Sequence, residues 1–81
     1  MTVHLFAAAR DLAGTATVVL DLPQGATVAE LRQELLHQLP ALATLLPRCL
    51  IAVNHEFAPD ALSLKPQDEI AVIPPVSGGS L

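Results

Sequence analysis

The residues best placed to do chemistry stand together late in the chain: Pro74-Pro75-Val76-Ser77-Gly78-Gly79, with Ser80-Leu81 after them. Two consecutive prolines favour an extended backbone that has little freedom left to lose on docking. Gly78 and Gly79 carry no Cβ atoms, so they fit a narrow slot that rejects bulkier residues. A stiff arm ending in a thin tip suits a carrier that is loaded covalently at its end and inserted into another protein's active site. The same composition also describes an ordinary disordered terminus, and local physics leaves both readings open.

The other reactive residue types form no comparable group. Cys49 lies in a stretch that reads as a strand, where a lone cysteine serves as a small hydrophobe rather than a nucleophile. His4, His37 and His55 fall on a strand, a helix and a turn. No two of them have metal-ligand spacing, and one cysteine offers no structural zinc set. Asp68 reads as a turn-capping carboxylate and Glu69 as an exposed one, which explains them better than acid–base work. Gly14, Gly25 and the Gly78-Gly79 pair make no phosphate-binding pattern. The folded part is therefore expected to lack an active site, a metal and a bound cofactor of its own.

The elements that position the tail follow from periodicity. Thr2 to Ala8 alternates as a strand with two fairly apolar sets, which predicts a central position. Ala9 to Leu12 suggests a short helical turn stopped by Gly14. Ala16 to Leu22 reads as a second strand, antiparallel to the first. Thr27 and Glu30 have capping-box spacing, and Val28, Leu31, Leu35 and Leu39 recur on one helical face before Pro40. A short helical turn over 41–47 leads to a strand from Arg48 to Val53. Asn54-His55-Glu56 turns the chain into a short strand near Phe57. Lys65-Pro66-Gln67-Asp68 is a turn with proline at its second position, and Glu69 to Ile73, apolar on both faces, is a central last strand. This order predicts an α+β β-grasp fold, a mixed sheet with one main helix across one face, in residues 1–73, and an extended tail over 74–81. A ferredoxin-like fold needs two full helices, and only one strong helix is visible.

Composition limits the partners. The chain has 81 residues, 52% hydrophobic and 15% charged, with a net charge of −4. That is enough apolar material for one helix layer on one sheet, and the low charge leaves apolar surface for a partner. Arg10, Arg32, Arg48 and Lys65 are scattered, so no basic face for nucleic acid is expected. One cysteine excludes an internal disulfide. No basic segment with a long apolar run opens the chain, and no stretch nears the ~20 apolar residues of a membrane span. A cytoplasmic location is expected, with no membrane contact.

Leu5-Phe6-Ala7 with Arg10 following, Val53-Asn54, Asp68-Glu69-Ile70-Ala71 and above all Pro74-Pro75-Val76-Ser77-Gly78-Gly79 resemble the small subunit of molybdopterin synthase, over residues 2 to 79. The resemblance implies a β-grasp fold and a sulfur-carrying cycle. An adenylating enzyme of the ubiquitin-activating type uses ATP to activate the terminal glycine carboxylate, and sulfur then replaces AMP to leave a thiocarboxylate. The loaded tail enters the large synthase subunit and gives sulfur to a cyclic pyranopterin phosphate in molybdenum cofactor biosynthesis. On this chain, Gly79 is the implied thiocarboxylate bearer and Gly78 its thin neighbour. Two departures stand out. Gln67 replaces a usual glycine, which implies a turn without positive φ. Ser80-Leu81 follow Gly79, so they are either removed before loading or not native to the chain. Related readings are a sulfur carrier of the thiamine type, a ubiquitin-like modifier joined to lysines, and a plain interaction domain with a disordered tail.

If the first and last strands are neighbours, Phe6 and Ile73 point outward just before the tail and form a docking patch with Pro74, Pro75, Val76 and Ser77. The alternative is that both are buried. Phe57 is expected to be a packing residue.

Overall fold

The computed structural model describes residues 1–75. The elements are β1 (Thr2–Leu5), α1 (Ala7–Ala13), β2 (Thr17–Val19), α2 (Val28–Gln38), 3-10 turns at Pro40–Leu42 and Leu46–Arg48, β3 (Leu50–Val53), β4 (Glu56–Phe57) and β5 (Ile70–Ile73).

The main helix starts where the capping box placed it. The Glu30 N–H donates to Thr27 Oγ1 at 3.3 Å, and the Thr27 N–H donates to Glu30 Oε1 at 2.9 Å. Two further first-turn donors, the N–H groups of Val28 and Ala29, reach the carbonyls of Leu62 and Asp60 at 3.0 Å. The helix start is thus tied to a distant loop as well as capped locally. Val28, Leu31 and Leu35 are fully buried, while Leu39, one residue beyond the helix, is only half-buried. Arg32 leaves the same helix sideways. Its guanidinium donates to the carbonyls of Leu46 and Cys49 at 2.8 Å and pairs with Asp60 at 3.0 Å. It therefore fixes the backbone that leads into β3.

The five strands lie in the order β2-β1-β5-β3-β4. β5 is the middle strand, parallel to β1 and antiparallel to β3. The outer strands β2 and β4 are antiparallel to β1 and β3. Val3, Leu5, Ile51, Ile70 and Val72 face α2 and form the core with Leu42, Leu46 and Leu64. This is the expected β-grasp arrangement.

The structure corrects several boundaries. The first strand ends at Leu5, not Ala8. Phe6 is still extended (φ −122°, ψ 154°), but Ala7 turns to φ +51° and α1 begins there. The alanines after Phe6 carry no facial contrast, so alternation could not report the change, and alanine's helix propensity decides it. Gly14, at φ +74°, ends α1 and donates its N–H to Arg10 O, in the left-handed conformation that glycine adopts freely. The second strand stops at Val19 because its partner starts at Thr2. The helical region before β3 is two 3-10 turns, and Cys49 follows the second of them rather than lying within the strand.

Candidate functional site

Alternation along β3 and β5 sends Ile51, Val53, Ile70 and Val72 to the core and leaves the next set on the open face. Register then decides which of these meet. Leu50 pairs with Ile73, and Ala52 pairs with Ala71 on one side and Phe57 on the other. Two adjacent alanines make a low floor, and the flanking aromatics make walls. The result is a shallow groove of about 270 Å³ lined by Phe6, Ala52, His55, Phe57, Glu69, Ala71 and Ile73.

Phe6 is 49% exposed, Leu50 50% and Phe57 66%. Three large apolar side chains exposed on one open face are a docking feature rather than a core. Phe6 and Ile73 thus fall on the same face and on the same groove, Ile73 half-buried and Phe6 in the open. Phe57 is not the packing residue expected from sequence, since it forms the far wall of this groove. A two-residue hairpin explains its place. Asn54 (φ +53°) and His55 (φ +70°) turn the chain, so Val53 pairs with Glu56 and Ala52 with Phe57. That inference was available from Asn54-His55 alone. His55 and Glu69 were not legible as groove residues, because strand pairing brings them there. Their side chains meet at 3.6 Å on the rim, both well exposed, a contact of little energetic weight.

Pro74 is half-buried and Pro75 exposed, directly after the groove residue Ile73. Val76, Ser77, Gly78 and Gly79, with Ser80-Leu81, lie outside the described residues.

The other polar motifs are structural. Asn54 Nδ2 donates to Asp68 Oδ1 at 2.9 Å, and Asn54 Oδ1 accepts the Glu69 N–H at 2.9 Å. Asp68 Oδ2 accepts the Lys65 N–H at 2.8 Å. The hydrogen bonds from the Lys65 backbone and the Asn54 side chain hold the Asp68 carboxyl below the usual aspartate range. This clamp locks the entry of β5 against the exit of β3, and so sets the register that forms the groove. Gln67 avoids positive φ, as its replacement of glycine implies. Cys49 is buried, donates its thiol to Leu45 O at 3.4 Å, and has its pKa raised by burial, partly opposed by Arg32. That is the opposite of an activated thiolate. Two further hollows, of about 350 and 360 Å³, lie beside Met1 and Leu20 at the other end of the sheet and between Arg32 and Pro47. Both are larger than the groove, but neither has a lining residue at the root of the tail. Among the described residues, no helix is long and apolar enough to cross a membrane.

The model of the ThiS family matches residues 3–79. A molybdopterin synthase sulfur carrier subunit from Arabidopsis thaliana is 38% identical over 77 residues, covering 95% of this chain and 80% of that protein. The crystal structure of SAMP1, a small archaeal modifier protein from Haloferax volcanii, superposes with a TM-score of 0.86 at 31% identity, covering 96% of this chain and 97% of that one. A chain in the complex of subunits 1 and 2 of molybdopterin-converting factor from Helicobacter pylori is also similar, with a TM-score of 0.69 at 26% identity and 96% coverage of each chain.

Proposed function

The chain belongs to the ThiS family, and from that membership we infer that it is the sulfur carrier subunit of a molybdopterin synthase, acting through the carbonyl carbon of Gly79. The observation that carries this reading is a juxtaposition. The central strand β5 ends at Ile73, beside an open apolar groove, and leads straight into the Pro74-Pro75 arm. Relatives bearing that subunit's name match over nearly the whole chain.

In this reading the open face docks the synthase large subunit, with Phe6, Phe57 and Ile73 as anchors, and the tail enters that subunit's active site. A separate adenylating enzyme loads the tail. The Gly79 carboxylate attacks the α-phosphorus of ATP, and pyrophosphate leaves. A sulfur nucleophile then displaces AMP from the acyl-adenylate, giving the thiocarboxylate. In the synthase the thiocarboxylate sulfur attacks the cyclic pyranopterin phosphate. Water finally takes the acyl carbon and restores the carboxylate. The carrier binds no cofactor itself, ATP being the partner's substrate, and the cycle belongs in the cytoplasm. Because Ser80 is bonded to Gly79, loading requires that peptide bond to be cleaved first.

Intact-mass measurement tests this. A chain ending at Gly79, given ATP, an adenylating enzyme and a sulfur donor, gains the mass of one oxygen-to-sulfur exchange and then converts precursor to molybdopterin with the large subunit. Failure of both steps rejects the carrier reading. Exchange on the uncleaved 81-residue chain rejects the requirement for cleavage.

The likeness to an archaeal modifier protein favours a second reading, conjugation of Gly79 to lysines. Gly79 found in isopeptide linkage in native extracts, without thiocarboxylate, selects that reading over the first.

A further inference from the structure

The chain's charges are sorted along the strand axis. Thr2 and Val3 in β1, Val53 in β3 and Ile70 in β5 lie at one end of the sheet; Leu5, Leu50 and Ile73 lie at the other, where the tail begins. The first end carries Asp21 just after β2, Glu30 in the first turn of α2, Glu56 opposite Val53, and Asp68 and Glu69 before β5, against two cations, Lys65 and the N-terminal ammonium of Met1, which donates to Leu20 O at 2.9 Å. The tail end carries two exposed arginines. Arg10 lies one turn into α1 after Phe6, and Arg48 lies two residues before Leu50, the partner of Ile73. Neither has a carboxylate partner among the described residues. Asp11 sits beside Arg10 and Glu34 lies on α2, where Gln38 holds it, so the tail end is close to neutral. Most of the net charge of −4 is therefore gathered at the end away from the tail.

We infer that this polarity fixes the direction in which the carrier docks. The inference rests on the carrier reading and commits to a partner of stated chemistry. That partner presents an apolar platform, carboxylates around the mouth that takes the tail, facing Arg10 and Arg48, and lysines or arginines farther out, facing Glu69 and Glu56. Apolar burial is non-directional, so the groove alone would accept the same platform turned end for end, with the tail pointing away from the active site. Reversed docking sets the two arginines against the partner's cations and the glutamates against its carboxylates. Like charges brought together at an interface suppress that orientation, and complementary ones speed productive encounter.

The test measures association rate constants for the large subunit by stopped flow, with the wild-type chain, with R10E/R48E and with E56K/E69K, each checked for native circular dichroism. At low ionic strength each pair of reversals is expected to slow association about tenfold. The difference is expected to vanish at about 1 M salt, where the Debye length is short. Rates that are unchanged or raised by either pair overturn the orientation while leaving the carrier reading intact. A wild-type chain that binds neither the large subunit nor the adenylating enzyme overturns both.

Discussion

The two faces of the sheet are made by alternate residues of the same three strands, β1, β3 and β5. On one face Val3, Leu5, Ile51, Ile70 and Val72 are sealed by α2. On the other, Ala52, Ala71 and Ile73 line the open groove between Phe6 and Phe57. Along β3 and β5 both sets are apolar, so hydropathy does not separate them there. What separates them is size and cover. The covered face carries branched aliphatic side chains that interdigitate with a helix, while the open face has a floor of alanines and aromatic walls. The first arrangement stabilises the domain; the second leaves a shaped apolar surface for another protein.

The largest expected effect breaks the covered face. Leu35→Ala removes a fully buried side chain and should cost about 2–5 kcal/mol in urea or thermal unfolding. It should leave the affinity of the folded fraction for the large subunit unchanged. Substitutions on the open face should do the reverse. Phe6→Lys and Phe57→Lys should each stay within about 0.5 kcal/mol of wild-type stability, yet weaken binding to the large subunit by about 2 kcal/mol, or roughly 30-fold. If either unfolds the protein as Leu35→Ala does, the two faces are not distinct. A third substitution tests how the faces are kept in phase. Asn54→Ala loses the bonds to Asp68 and Glu69 and a left-handed backbone that asparagine tolerates. It should cost about 1–2 kcal/mol, and hydrogen exchange should rise first at the β3–β5 junction.

The smallest effect is a pH dependence of the same clamp. The folded-state pKa of Asp68 is depressed, so its contribution is complete above the unfolded value of about 3.9. It is lost as pH falls through the lower folded value. The stability gap between wild type and Asp68→Ala should therefore be flat at neutral pH and narrow only in acid. A gap that widens in acid would contradict the clamp.

The local signals in the sequence were legible where one physical cause acted alone. The Thr27 and Glu30 cap, the Leu31 and Leu35 stripe, the proline turn at Lys65 to Asp68 and the central last strand all depend on neighbours within a few residues. The end of β1 was not legible, because Ala7 and Ala8 fit strand and helix patterns equally and the turn rests on a left-handed alanine. Phe6 and Ile73 could be placed on one face by strand order. Phe57 could have been added from the Asn54-His55 hairpin, but His55 and Glu69 could not, because they reach the groove through the β3–β5 pairing whose register is set by the Asn54–Asp68 clamp. The sequence likewise lists its four cations as scattered; only the fold shows that two of them flank the root of the tail.

The parallel pairing of β1 with β5 has a consequence for how the chain is born. The middle strand of the sheet is the last of the five described strands to be synthesised, so β1 and β3 have no central partner until it emerges from the ribosome. Contacts so distant in sequence close slowly and late, and the sheet cannot assemble until Ile70 to Ile73 are free of the exit tunnel. A chain terminated before Ile70 therefore lacks both its tail and the strand that completes the fold, which leaves it to proteases rather than to the partner enzymes. A folded groove therefore requires a chain made at least as far as Ile73, the residue from which the arm departs.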